Sequence, residues 1–180
     1  MLKNYKIFLF FFGVLTGFFV FYMTSSFTYP SSIVSLFSPG SEQEVLDMIN
    51  SARDEIQLEM YILSSDKVLD ALVDAKLRGV NIRVILEKNV LSDENLNSYS
   101  TLQNAGIEVA WASENFKLTH SKFMIIDKRI LLVGSHNFSR SALNFNREAS
   151  VIIENNKVIE DFLSIFEHDW EIAYRTEINV

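Results

Sequence analysis

The residue types best suited to chemistry are concentrated between residues 120 and 148. His120 and Lys122 stand two residues apart, and Asp127 follows them. Residues two apart in a strand point to the same face, so we expect the imidazole and the ammonium to lie side by side. An ammonium binds phosphate oxygens, and an imidazole near neutral pH is a candidate nucleophile or proton carrier. The pair therefore predicts a site for an anionic, phosphate-bearing substrate.

A second group of polar residues follows at positions 134–137, and Glu148 comes after a further short polar loop. The Ser135 hydroxyl and the Asn137 amide are neutral donors that can stabilise charge on phosphoryl oxygens. Glu148 is a candidate to orient the imidazole of His120 by accepting a hydrogen bond from one ring nitrogen. These three residues join His120 and Lys122 as catalytic candidates.

The charge around this stretch differs from that of the whole chain. The chain has 16 basic and 23 acidic residues, with a net charge of −7, which excludes a generally basic nucleic-acid coat protein. From residue 115 to 147, however, six basic residues stand against Asp127 alone. We assign Lys117, Arg140 and Arg147 to substrate binding, together with Gly134, whose small size at a strand end lets a ligand or another backbone approach. A solvated basic stretch is the alternative.

The combined pattern resembles the phospholipase D superfamily. It consists of His-x-Lys-x4-Asp at residues 120–127, Gly-Ser-x-Asn at 134–137 and the acidic Glu148. The short chain and the single motif resemble the small branch that contains the bacterial periplasmic endonuclease and the mitochondrial cardiolipin hydrolase/Zucchini-type proteins. The combination is specific, whereas His-x-Lys alone is a weak signal.

The resemblance implies metal-independent phosphodiester cleavage in two steps, without a cofactor. One histidine attacks phosphorus to form a phosphohistidine, a second protonates the leaving oxygen, and water or another alcohol releases the product. Because the chain carries one motif, the resemblance implies a homodimer in which two copies of His120 complete the active site. Nucleic acid and phospholipid both stay open as substrates, and a noncatalytic, anchored phosphate-binding module is the alternative function.

Two further observations limit the chemistry. Asp127 completes the motif, but its position along the predicted strand has the opposite parity to His120, so we expect a structural or supporting role. The chain has no cysteine and three histidines, none of them in a His-Glu-x-x-His motif, so we expect neither a thiolate nucleophile nor a structural zinc site.

Strands and helices alternate through the predicted domain, residues 41–180. The pattern predicts a helix from Ser41 with a capping box to Glu44, and a later helix from Asp66 to Gly79. The other predicted elements are strands at 56–62, 80–87, 107–111, 120–126, 130–134 and 149–153 and helices at 95–105 and 157–173, with a hairpin at 127–129. This order predicts an α/β fold with a mixed β-sheet flanked by helices.

The N-terminus has the features of a membrane segment. Residues 7–23 contain no charged side chain and have the shortest length that crosses a bilayer as a helix. Lys3 and Lys6 precede them, which places residues 1–6 in the cytoplasm and the domain on the extracytoplasmic side, periplasmic or extracellular. We expect a single-pass transmembrane helix, with a juxtamembrane linker at 24–40. The alternative is a cleaved signal peptide, which would release a secreted protein.

Overall fold

The structure is a computed structural model that describes residue 16 and the ranges 32–90 and 93–175. The predicted membrane segment, residues 7–23, lies outside the described residues apart from Thr16. Among the residues described, no helix has the length and apolar character needed to cross a bilayer. The elements in chain order are β1 (Ser32–Phe37), α1 (Glu42–Ser51), β2 (Glu55–Met60), α2 (Asp66–Leu77), β3 (Asn81–Leu86), α3 (Glu94–Asn104), β4 (Glu108–Trp111), β5 (Lys122–Ile126), β6 (Ile130–Gly134), α4 (Arg140–Asn144), β7 (Ala149–Glu154) and α5 (Asn156–Ile172).

The strands form one mixed sheet in the order β1-β7-β6-β5-β2-β3-β4. Strands β2, β3 and β4 are parallel, and the helices α2 and α3 connect them. Strands β5, β6, β7 and β1 add to this unit through antiparallel pairs. The predicted α/β fold with a mixed sheet and flanking helices is therefore confirmed.

Helices cover the two faces of the sheet unequally. The larger core lies on the face that carries α1 to α4 and includes Ile56, Leu58 and Met124. The smaller core lies under α5 alone, where Phe123 and Ile125 pack against the last helix. Since β2 is covered on both faces, five of its six residues are buried.

The strand directions give the two edges of the sheet different residues. Met60 at the end of β2 pairs with Lys122 at the start of β5, and Gly134 at the end of β6 pairs with Ser150 near the start of β7. We call the edge of the sheet that is formed by the ends of β2 and β6 and the starts of β5 and β7 the site edge. The opposite edge carries the hairpin between β5 and β6 and the first residue of β1, Ser32.

Two elements were not predicted. The predicted linker at residues 24–40 is wrong for residues 32–37, which form β1 and pair with β7 along their whole length. Five of these six residues are exposed, so hydrophobic alternation does not reveal the strand. Helix α4 has only five residues, too few for a helical hydrophobic pattern.

The start of α1 also differs from the prediction. Ser41 occupies the N-cap position, but its hydroxyl makes no capping hydrogen bond. It donates instead to the carbonyl of Leu143, at 3.2 Å. The predicted capping box with Glu44 is therefore wrong, because a tertiary contact with α4 takes the hydroxyl.

Asp127 lies in the hairpin at the opposite edge, away from the other catalytic candidates. The φ angle is 51° at Asp127 and 52° at the next residue, which forms the predicted tight turn. The Asp127 carboxylate accepts backbone hydrogen bonds from Arg53 (3.0 Å), Asp54 (2.8 Å) and Glu55 (2.9 Å). These contacts tie the hairpin to the start of β2. A direct part for Asp127 in the chemistry is incompatible with this position.

Replacing Asp127 with Asn is expected to lower the free energy of unfolding by about 1–3 kcal/mol at pH 7, because the backbone donors lose a charged acceptor. Burial opposes ionisation, but hydrogen bonds from Glu55, Asp54 and Arg53 hold the pKa of Asp127 below its usual range. A lowered pKa contributes stability that is lost as the pH falls through it. Chemical denaturation should therefore show a smaller difference in the free energy of unfolding between the variant and wild type at acidic pH than at pH 7. Asp70→Asn, at an exposed position on α2, is the control, and equal effects of the two substitutions would contradict the anchoring role.

Candidate active site

His120 and Lys122 lie side by side at the site edge, as their spacing predicts. Strand β5 begins at Lys122, so His120 lies just before the strand and not in it. Lys122 Nζ is 3.2 Å from His120 Nδ1 and donates to the His120 carbonyl oxygen at 2.8 Å. An ammonium only donates, so Nδ1 is the acceptor in this contact. Nε2 is then the ring nitrogen left for other partners.

Tyr61, which follows β2, contacts both side chains. The ring centroids of Tyr61 and His120 are 4.4 Å apart. Lys122 Nζ is 5.0 Å from the centroid of the Tyr61 ring, within range of a cation–π attraction. Sequence analysis missed Tyr61, because only the pairing of β2 with β5 brings it to the site.

Burial and charge shift the pKa values of the pair. Burial first, and then the Lys122 ammonium, lower the pKa of His120. A lowered pKa favours the neutral imidazole near pH 7, the form that can act as a nucleophile. Burial also lowers the pKa of Lys122, while the Glu148 carboxylate opposes that shift. Glu148 therefore acts on the same site.

Ser135 and Glu148 meet directly at this edge. The Ser135 hydroxyl donates to a Glu148 carboxylate oxygen at 2.6 Å and accepts from the backbone N–H of Ala149 at 3.0 Å. The Asn146 amide donates to the other Glu148 oxygen at 3.2 Å. Within this chain, Glu148 thus bonds to Ser135 and Asn146, and the predicted hydrogen bond to His120 is not made.

Gly134 permits a close approach of backbone at the end of β6. A Cβ atom at this position would overlap Cα and Oγ of Ser150 and the carbonyl oxygen of Ala149. The sequence left open whether a ligand or another backbone approaches this small residue. The structure shows that the backbone of strand β7 does so. A part for Gly134 in substrate binding stays a prediction.

His136 and Asn137 follow in the loop after β6. His136 is buried, and its Nδ1 is 2.6 Å from Ser150 Oγ. Among the described residues, His136 Nε2 and Asn137 Oδ1 have no hydrogen-bond partner. Burial lowers the pKa of His136, and the Glu148 carboxylate opposes this shift. Asn137 thus lies two residues after Ser135 with a side-chain oxygen that is unpaired within the described part of the chain.

The basic residues predicted to bind substrate are exposed and come from three segments. Lys117 lies in the loop between β4 and β5, and Arg147 immediately precedes Glu148. Arg140 begins α4, and its guanidinium carbon lies 5.4 Å from the ring centroid of Phe145. All three stand toward the site edge, and their binding role stays a prediction. In the part of the chain that is described, no group of three or more His, Asp or Glu side chains could hold a metal ion.

A carboxyl pair that sequence analysis missed lies below the site, between β2 and α5. Glu59 is buried and interacts with Ser121, the residue after His120, and with Asp169 on α5. Burial raises the pKa of Glu59 to about 7, the hydrogen bond from Ser121 opposes this shift, and the Asp169 carboxyl adds to it. The predicted strand at residues 56–62 did not indicate that Glu59 is buried, because the sequence does not show which face α5 covers.

Glu59 is expected to make stability fall as the pH rises. Its pKa rises from 4.5 to about 7 on folding, so the folded protein binds a proton that the unfolded chain releases between these values. Replacing Glu59 with Gln should therefore raise the free energy of unfolding by about 1–3 kcal/mol at pH 8 and little near pH 4. Thermal denaturation at both pH values measures this. Glu160→Gln, at an exposed position on α5, is the control, and a Glu59→Gln gain that is the same at both pH values would contradict the titration.

Comparison with known proteins connects these residues to a family. The family model described as "Cardiolipin synthase, PLD-like domain" matches residues 45–170, a range that contains every candidate site residue. A protein named Phospholipase D from Rickettsia bellii is 31% identical over 135 residues, which cover 74% of this chain and 66% of that protein. Mitochondrial cardiolipin hydrolase of Mus musculus is 32% identical over 134 residues, which cover 74% and 60%. The chain thus spans somewhat less than two thirds of the length of these curated relatives.

The solved structures agree with this relationship. Nuc from Salmonella typhimurium, described as a phospholipase D family member, matches with a TM-score of 0.75 and 30% identity over 81% of this chain and 99% of that chain. NucT from Helicobacter pylori has the same fold, with a TM-score of 0.71 at 17% identity. On the motif, the family match and the shared fold together, the chain belongs to the phospholipase D superfamily.

Proposed function

We propose that the protein is a membrane-anchored phosphodiester hydrolase in which two protomers form one metal-independent active site. The observation that carries this proposal is the contact between His120 and Lys122, at 3.2 Å, on the edge where Ser135 and Glu148 also meet. A nucleophilic imidazole, a phosphate-binding ammonium and neutral donors are the groups that phosphoryl transfer through a histidine needs. The family membership of the chain supports the same reaction.

The reaction proceeds in two steps. Nε2 of one His120 attacks phosphorus, the bond between phosphorus and the leaving oxygen breaks, and the second copy of His120 gives that oxygen its proton. Water then attacks the phosphohistidine and gives a proton to the second copy, and the phosphorus–nitrogen bond breaks. Each copy ends in the protonation state in which it began.

Lys122 prepares the nucleophile as substrate binds. Attack through Nε2 requires the ring proton of His120 to be on Nδ1, the atom that now accepts from Lys122. Anionic phosphate oxygens are stronger acceptors than an imidazole nitrogen, so the substrate draws the ammonium away from the ring. The imidazole then releases the proton of Nε2 to water and takes a proton from water on Nδ1, which leaves the lone pair on Nε2. The same ammonium then stabilises charge on the phosphoryl group.

The incompletely covered face of the sheet supports a homodimer. A cavity beside His120 is lined by Phe123, Val133, Phe162 and Ile165, and Ile165 on α5 is exposed. Covering this apolar surface with a second protomer would stabilise an interface between the two chains. A two-fold axis at this face would bury it and place two copies of His120 together.

The uncharged run at residues 7–23 supports the anchor, with the domain on the extracytoplasmic side. Phospholipid is the first candidate substrate, because relatives of the chain are named phospholipase D and cardiolipin hydrolase. Nucleic acid is the second candidate, favoured by the exposed Lys117, Arg140 and Arg147.

Full-length protein in detergent, with EDTA present, tests the proposal. We expect it to hydrolyse bis(p-nitrophenyl) phosphate and at least one of two natural diesters, cardiolipin or single-stranded DNA. Alkaline quenching and mass spectrometry should find on His120, during turnover, the phosphoryl group that still carries the remaining ester of the substrate, for bis(p-nitrophenyl) phosphate a p-nitrophenyl phosphoryl group. Activity that disappears with EDTA would contradict metal independence. Hydrolysis of none of these diesters would contradict the proposal and favour the noncatalytic module.

A further inference from the structure

Four of the nine large apolar side chains that are exposed among the described residues lie around the candidate site. Phe37, Phe116, Leu118 and Phe145 are between 42% and 62% exposed. Phe37 ends β1, Phe116 and Leu118 lie in the loop before His120, and Phe145 lies between α4 and β7. All exposed phenylalanines of the described residues belong to this set. We call these four residues the apolar rim.

The rim stands at the site edge. Phe37 pairs in register with Ala149, the residue after Glu148. Leu118 is two residues before His120, and the backbone N–H of Thr119 between them donates to the buried Glu87 at 2.7 Å. This hydrogen bond holds the loop over the end of β3. The rim therefore projects from fixed backbone on both sides of His120.

Cations alternate with the rim residues. Lys117 lies between Phe116 and Leu118, and Arg140 lies over the ring of Phe145. Apolar tips with neighbouring cations are typical of surfaces that bind anionic bilayers: the tips enter the boundary of the acyl chains, and the cations stay with the lipid phosphates.

The side chains of the rim favour a bilayer over a nucleic acid as the occupant. Leu118 has no ring that could stack on a base, so base stacking, which exposed aromatic side chains supply in single-strand binding, does not account for the whole rim. Insertion into a bilayer accounts for all four side chains, and it gives affinity that does not depend on the net charge of −7.

We propose that the apolar rim docks the site edge onto the surface of an anionic phospholipid bilayer, so that lipid phosphodiesters reach His120. This inference rests on the proposed function and names phospholipid as the substrate of that same site. The predicted anchor does not impose this orientation, because β1 begins at Ser32 on the opposite edge. Residues 24–31 separate anchor and strand and reach at most about 28 Å, more than the length of about 20 Å of a six-residue strand. Residues 24–31 are therefore long enough to permit this orientation, and the apolar rim stabilises it.

The test compares three substrates with one double variant. Full-length wild type and Phe116→Ser/Leu118→Ser are assayed in vesicles of phosphatidylcholine and cardiolipin, and separately in detergent on bis(p-nitrophenyl) phosphate and on single-stranded DNA. We expect the double variant to hydrolyse the bilayer lipid at least about tenfold more slowly and the soluble diester at the wild-type rate. Leu77→Ser is the matched control, because Leu77 is 81% exposed at the end of α2, toward the opposite edge, and it should change neither rate.

The outcomes separate the docking surface from the reaction. Equal rates of wild type and double variant on bilayer lipid would overturn the docking surface, and so would soluble-diester hydrolysis by wild type without any lipid hydrolysis. A double variant that loses cleavage of single-stranded DNA and keeps lipid hydrolysis would make the rim a nucleic-acid surface. Wild type that is inactive on all three substrates would overturn the proposed function itself.

A binding measurement tests docking without relying on activity. Full-length Phe116→Trp is reconstituted in vesicles that contain cardiolipin and brominated phosphatidylcholine, and the fluorescence of wild type, which has two tryptophans, is subtracted. We expect the added tryptophan to be quenched by the bromine atoms. Quenching no greater than that of Leu77→Trp would overturn the docking surface.

Discussion

Replacing His120 with Asn is expected to reduce phosphodiester hydrolysis by about 10³-fold or more, because the variant loses both the nucleophile and the proton donor. The fold should be unchanged. His120 is exposed, and its side chain contacts Lys122 and Tyr61 at the surface of the domain. Initial rates on bis(p-nitrophenyl) phosphate measure the loss, and thermal denaturation measures the fold.

His168→Asn is the matched control for this experiment. His168 is exposed on α5 and has no part in the proposed reaction, so its replacement should leave the rate within about twofold of wild type. A His120→Asn protein that keeps more than a tenth of the wild-type rate would remove His120 as the nucleophile.

Replacing Lys122 with Met is expected to lower kcat and raise KM together, with a loss of about 10²–10³-fold in kcat/KM. Methionine keeps the buried volume and removes the charge that binds phosphate oxygens. Because the Lys122 ammonium lowers the pKa of His120, second to burial, the variant should also raise that pKa, which NMR titration of the imidazole would show.

Lys128→Met provides the control, because Lys128 lies in the hairpin at the opposite edge and pairs with Glu55 at 3.0 Å. It should leave both kinetic constants and the pKa of His120 unchanged. If Lys122→Met raises KM alone and leaves kcat intact, the ammonium binds substrate without stabilising the transition state.

The parts of the fold that were predictable are those in which buried side chains follow a period. Strand β6 was predicted with its observed bounds, Ile130–Gly134, because apolar residues run between a polar turn and a glycine. Strand β1 was not, since its residues are mostly exposed and its place depends on backbone hydrogen bonds to β7. Pairing across more than a hundred residues leaves no local signal.

The candidate site was also predictable only in part. The spacing of His120 and Lys122 predicted that they are neighbours, because two residues of chain fix the distance between them. Tyr61 and Glu59 depend on β2 lying beside β5, and local sequence does not determine strand order. Asp127 shows that residues of one motif need not lie together in space. It follows Lys122 by five residues, but β5 runs across the sheet between them and places Asp127 at the opposite edge.

Mixed dimers test most directly whether two copies of His120 act on one phosphorus atom. Full-length wild-type and His120→Asn chains, each with a different affinity tag, are coexpressed, and dimers that carry both tags are purified and assayed on bis(p-nitrophenyl) phosphate with EDTA. If the imidazoles are shared, the mixed dimer should be as inactive as the His120→Asn homodimer. A mixed dimer with half of the wild-type rate or more would show that each subunit works alone and would contradict the shared site.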